Sequence, residues 1–125
     1  MRAFREAVES MDIDRAVSLM TEDVTFRSPV VHKPYQGRDA VSVILHAVAR
    51  VFENFRYDRE IGAEGAPDHA LVFRASVGDR EVEGCDFLHV NQAGLIDEFF
   101  VMIRPLSGAM AVAEAMRAEL ERTPD

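Results

Sequence analysis

The sequence predicts a single α+β domain over residues 1–125, shaped as a cone: a strongly curved antiparallel sheet with helices on its concave side. Three observations predict it. An apolar stripe at helical spacing runs through the middle of the chain, a period-two alternation takes over after it, and turn signals divide the alternating stretches. Helices, one strand, a long helix and then a run of strands is the order of an α+β fold, not of βαβ units.

Taken in order, Met1 to Met20 reads as two short helices. Phe4, Ala7, Val8 and Met11 repeat at helical spacing, and Asp12 is placed to cap the helix carrying Ile13, Ala16, Val17, Leu19 and Met20. Val24, Phe26 and Ser28 alternate with Thr25 and Arg27 as a strand that Pro29 ends. Val30 to Gly37, with two prolines and a glycine, reads as a loop. Arg38 to Phe55 is the long helix, with Val41, Ile44, Leu45, Val48, Val51, Phe52 and Phe55 on one face. Phe55 to Ile61 reads as a strand and Gly62 to Asp68 as a turn. Leu71, Phe73, Ala75 and Val77 then alternate up to the hairpin signal Gly78-Asp79. Val82, Gly84, Asp86, Leu88 and Val90 form one face of the next strand, with Cys85, Phe87 and His89 on the other. After the turn at Asn91 to Gly94, Leu95 to Arg104 is the last strand. Ser107 is expected to cap a final helix through Leu120, and Thr123, Pro124 and Asp125 to fray.

Composition limits the function classes. The formal charge is −8, and Lys33 is the only lysine. Nucleic-acid binding requires a cluster of cations to displace counterions from phosphates, and the arginines here are scattered, so no nucleic-acid partner is expected. No apolar run approaches the ~20 residues needed to span a bilayer, and the first residues do not read as a signal peptide. One cysteine, Cys85, excludes an internal disulfide and a cysteine-rich zinc site. The expected location is the cytoplasm. His32, His46, His69 and His89 are not spaced as a ligand set, so no metal and no cofactor is expected.

Several segments carry a family resemblance. Asp12 to Met20 followed by Asp23-Val24-Thr25-Phe26, Tyr35-Gln36-Gly37-Arg38-Asp39-Ala40-Val41, Gly84 to Val90 running into Gly94-Leu95-Ile96, and Arg104-Pro105-Leu106 follow in order along the chain. In this the sequence resembles the nuclear transport factor 2-like superfamily, and within it the SnoaL-like polyketide cyclases and ketosteroid isomerases. The resemblance implies a pocket for a small molecule. It also implies positions. The isomerase base, an aspartate before a proline at the end of the first strand, falls on Ser28; the oxyanion tyrosine of the first helix falls on Phe4; the second oxyanion donor, an aspartate of the penultimate strand, falls on Asp86. Serine cannot shuttle a proton as a carboxylate does, so steroid isomerisation by that route is not expected.

Asp86 is therefore the candidate catalytic residue. It shares a strand face with Val82, Leu88 and Val90, where an unpaired carboxylate is costly and is driven towards its neutral form. The competing reading is a buried acid satisfied by the backbone or by an arginine such as Arg74. Tyr35 and Tyr57 read as amphipathic rings buried at loop–helix junctions, with a ligand contact as the alternative.

Alternation places Phe26, Ser28, Phe73 and Leu88 on the ligand-binding wall beside Asp86, and pairing the last strand through the Asn91 to Gly94 turn adds Phe99, Val101 and Ile103, an assignment that a bulge would reverse. Such a wall suits a small apolar, polyketide- or terpenoid-like molecule, with Asp86 as acid or base of an isomerase, cyclase or hydrolase. The alternative is a non-catalytic domain that binds a ligand or a protein, with Asp86 structural. The same alternation turns Cys85, Phe87, His89, Phe100 and Met102 outward, and a sheet face this apolar predicts a homodimer through it.

Overall fold

Burial alternates along the strands, and that alternation builds the core. The computed structural model describes residues 1–122. The elements are α1 (Arg2–Glu9), α2 (Ile13–Ser18), β1 (Met20–Arg27), β2 (Tyr35–Gln36), α3 (Arg38–Val51), β3 (Glu53–Ile61), β4 (Asp68–Val77), β5 (Arg80–Val90), β6 (Ile96–Arg104) and α4 (Leu106–Arg122). On β4 Leu71, Phe73, Ala75 and Val77 are buried, and on β5 Val82, Gly84, Asp86 and Leu88, with Leu71 opposite Asp86 and Phe73 opposite Gly84 in the ladder. Each large apolar side chain so buried contributes roughly 1.5–3 kcal/mol.

The six strands form one strongly curled, unclosed sheet in the order β2-β1-β6-β5-β4-β3. α3 packs on β1 and on α4, α4 on β4, β5 and β6, and α1 on β3, so the helices cover the face that carries Phe73, Asp86 and Phe99. At the start of the chain Asp12 accepts a hydrogen bond from the Arg15 amide at 3.2 Å, capping α2 as its position indicates. None of the helices among the described residues is long and apolar enough to cross a membrane.

Five details depart from the sequence reading. β1 and β6 pair in parallel, so the sheet is antiparallel in all pairings but that one. No hairpin joins these two strands, and hydrogen bonding alone accepts either direction. The segment read as a loop contains β2, where Tyr35 and Gln36 pair with Phe26 and Thr25 at the sheet edge. α3 stops at Val51 rather than Phe55. Phe52 is extended at φ −79°, ψ 137°, and its ring packs on Phe73 with centroids 5.8 Å apart. Tertiary packing of Phe52 and Phe55 on the sheet overrides the helical period there. β1 begins at Met20, which pairs with Ile96, well before Val24. Finally, α4 starts at Leu106, and the Ala109 amide closes its first turn on the Pro105 carbonyl at 2.9 Å, so Ser107 lies inside the helix instead of capping it. The expected fraying at Thr123, Pro124 and Asp125 lies outside the described residues.

Candidate functional site

Between the sheet and α3 and α4 lies a cavity of about 400 Å3, within the range of small-molecule sites. Every aromatic residue of the chain except Phe87 and Phe100 lines it. The rings lock one another. Phe99 meets Phe4 and Phe26 edge-on at 5.6 and 5.0 Å, and Phe55 stacks on Phe73 at 4.9 Å. Such contacts add about 0.5–1.5 kcal/mol each beyond burial, which holds the wall rigid.

Asp86 enters this apolar space from the middle of β5, between β4 and β6, because alternation leaves it no outward option. It is 5% exposed. Burial raises its pKa from 3.8 to about 7, against a smaller downward pull from the hydroxyl of Tyr57. That hydroxyl donates to Asp86 Oδ2 at 2.6 Å, and among the described residues it is the one side-chain partner of the carboxyl. Oδ1 is thus the oxygen left for a ligand. Tyr57 is itself buried, and desolvation, with the adjoining Asp86 charge, pushes its pKa well above the ordinary tyrosine value. It stays a neutral donor.

Tyr57 owes its place to β3, where it stands opposite Phe73 of β4. Arg5 of α1 fixes that stretch: its guanidinium donates to the Tyr57 carbonyl at 3.2 Å, sits 6.0 Å from the ring centroid, and reaches Glu60 at 3.3 Å. The Phe73 ring lies over Gly84, where a Cβ would come within 2.2 Å of Phe73 Cζ. A side chain at position 84 would evict that ring from the wall.

The structure brings Phe26, Ser28, Phe73, Phe99, Val101 and Ile103 to the cavity with Asp86. Leu88 differs from its expected place: it is 2% exposed in the core and does not border the cavity. Leu88 stands two residues beyond Asp86 along β5, and the cavity ends short of it. Ser28 Oγ accepts from the Val30 amide at 3.0 Å, so the hydroxyl fastens the turn after β1 as well as lining the wall. Arg74, weighed as a partner for Asp86, instead pairs with Asp58 and Glu83 at 2.8 and 3.0 Å on the opposite face.

No histidine lines the cavity. His46 contacts the Ser42 carbonyl at 2.8 Å and Asp14 at 3.2 Å, His69 the Ala66 carbonyl at 2.8 Å, and His89 the Asp97 carboxylate at 2.7 Å. Among the described residues no cluster of three or more histidine, cysteine or acidic side chains could hold a metal ion. Cys85 points away from the cavity, and burial pushes its thiol pKa up, away from the reactive thiolate.

The residue that sequence reasoning undervalued is Tyr57. Its alternation with Phe55 was a visible signal of an inward face. Its pairing with Asp86 was not visible, because β4 had to come between them first. A phenol thus stands beside the acid, but it comes from β3 and not from α1, where Phe4 fills the expected tyrosine position.

A curled sheet folded over an apolar cavity with one buried acid defines a nuclear transport factor 2-like pocket domain. The chain belongs to the SnoaL-like domain family, whose model matches residues 1–99. A structure described as a steroid delta-isomerase from Pseudomonas aeruginosa is similar at 39% identity and TM-score 0.88, covering 93% of this chain and 85% of that one. A bacterial protein with a cystatin-like fold from Silicibacter pomeroyi matches at 36% identity and TM-score 0.90, covering 97% and 84%. SalBIII, an epoxide hydrolase/cyclase-like enzyme of pyran ring formation in salinomycin, shares the fold at 18% identity and TM-score 0.68, covering 84% and 87%. No curated protein sequence matches the chain significantly.

Proposed function

We propose that this protein binds a small, mostly apolar molecule in the aromatic cavity and moves a proton on it through Asp86, in an isomerase- or cyclase-type reaction. The observation that carries this is the Tyr57–Asp86 pair, a buried acid with a pKa of about 7 and one oxygen facing an apolar cavity. A group titrating near neutrality serves as base when ionised and as acid when protonated. Ionised, Asp86 takes a proton from an acidified C–H or O–H. Neutral, it returns that proton to a second atom of the same molecule, so nothing else is consumed. The similarity to a protein described as a steroid delta-isomerase supports chemistry of this class. Ser28, however, stands where the isomerase base is expected, and its hydroxyl is held by a backbone amide. The proton therefore passes through Asp86 alone.

A ligand carrier without turnover is the second reading, favoured by one observation: among the described residues Asp86 is the only carboxylate lining the cavity. The two separate in a thermal-shift screen of apolar ketones, lactones and epoxides on wild type and Asp86→Asn. A hit that wild type converts and Asp86→Asn only binds supports catalysis. Hits bound equally by both and never converted overturn it.

We also propose that the outer sheet face pairs two copies of the chain. Phe87 and Phe100 stack there at 4.7 Å, and Met102 beside them is 59% exposed. A two-fold axis would bury the same patch on both subunits.

A further inference from the structure

Among the described residues the cavity wall carries only two charged side chains, Asp86 in its depth and Arg117. Arg117 belongs to the face of α4 that also presents Val112, Ala113, Met116 and Leu120 to the cavity, spaced one, four, five and eight residues along the helix. Val112 and Met116 are buried while Arg117 is exposed, so Arg117 stands at the rim. Helical side chains lean towards the N-terminus, which carries the arginine stem over Ala113, where the small side chain leaves room. Its guanidinium makes no ion pair among the described residues. Glu114 and Glu121 stand at the i−3 and i+4 spacing of helical ion pairs and no pair with either forms, while the neighbouring Glu119 is taken by Arg50.

We propose that Arg117 anchors the anionic end of the ligand, and that the ligand class is an apolar carboxylic acid whose reacting carbonyl or hydroxyl lies at the Asp86 end. This rests on the reading of the cavity as a small-molecule site. A planar guanidinium takes a carboxylate through two parallel hydrogen bonds. A single cation lining the cavity of a chain of net charge −8 favours a monoanion over a phosphate dianion. With the acid deep and the cation at the rim, one ligand orientation is selected, head at the mouth and apolar body inward.

The test compares two fluorescent probes, a naphthol and the corresponding hydroxynaphthoic acid with its carboxylate on the far ring, titrated into wild type, Arg117→Met and Arg117→Lys. The acid is expected to bind wild type about tenfold or more tighter than the naphthol, with the preference shrinking in high salt. In Arg117→Met the preference disappears while naphthol affinity holds, because the methionine keeps the apolar stem; Arg117→Lys keeps part of it. Naphthol binding without an acid preference in wild type, or a preference that survives in Arg117→Met, overturns the anchor and leaves the cavity reading standing. Binding of neither probe overturns both.

Discussion

The Tyr57 hydroxyl reaches across an entire strand to Asp86, donating a 2.6 Å hydrogen bond from β3 to β5 with β4 lying between them. Phe73, the β4 residue opposite Tyr57, does not stand in the way because its ring lies over Gly84. The acid, its donor and the glycine therefore form one unit, and each can be tested.

The first expectation concerns pH. Folded Asp86 keeps its proton up to about pH 7, whereas an unfolded aspartate releases it near 3.8. Between those values the folded state binds more protons, so this residue's contribution to stability falls as pH rises, by about 4 kcal/mol in all, and levels off above pH 7. Asp86→Asn has no such titration. Urea unfolding of both proteins at about pH 5 and about pH 8 should show the variant gaining on wild type at the higher pH. An equal difference at both values would mean that Asp86 is ionised throughout.

Removing the donor should move the acid. In Tyr57→Phe the downward pull of the hydroxyl is lost, so Asp86 should titrate above its wild-type value. Carboxyl-carbon NMR titration reads this directly. The variant should lose about 1–3 kcal/mol of stability above pH 7, where the buried carboxylate is left without its partner, and less near pH 5. Any turnover should shift its pH dependence in the alkaline direction with the titration.

Gly84→Ala should damage the wall. The added Cβ falls 2.2 Å from Phe73 Cζ and 2.9 Å from the Met102 carbonyl, the latter a backbone atom that cannot swing aside. A loss of about 1–3 kcal/mol is expected, together with weaker probe binding. Phe73→Leu in the same chain should restore part of the stability. It should not restore the affinity, since the ring that shapes the wall is gone.

The outer face predicts the assembly. Wild type should sediment as a dimer at micromolar concentration and should not weaken in added salt, because screening relieves the repulsion between two chains of net charge −8. Phe87→Asp should be monomeric and folded, since the Phe87 ring packs only on Phe100 among the aromatic residues. A wild-type monomer at high concentration, or a dimeric Phe87→Asp, would place the interface elsewhere.

Much of this was legible in the chain itself, for a local reason. Period-two alternation sorts the residues of each strand into two faces, and the Asn91 to Gly94 turn signal relates the last two strands, so Asp86, Phe99 and Val101 could be assigned to one face and Phe87, Phe100 and Met102 to the other from local sequence alone. The apolar stripe of α3 was equally local, as was the Asp12 cap. The pull of burial on Asp86 followed from its neighbours along β5.

What only the tertiary structure decided depends on contacts distant in sequence. The parallel pairing of β1 with β6 has no turn to announce it, and the two-residue β2 exists only because β1 offers it an edge. α3 yields its last turn because Phe52 and Phe55 gain more by packing on Phe73 than by continuing the helix. The same holds for the site. The face of Asp86 is a property of β5, but the identity of its partner depends on the stacking of β3, β4 and β5 and on the space over Gly84. Alternation along a strand says which way a side chain points, and only the assembled sheet decides what it meets there.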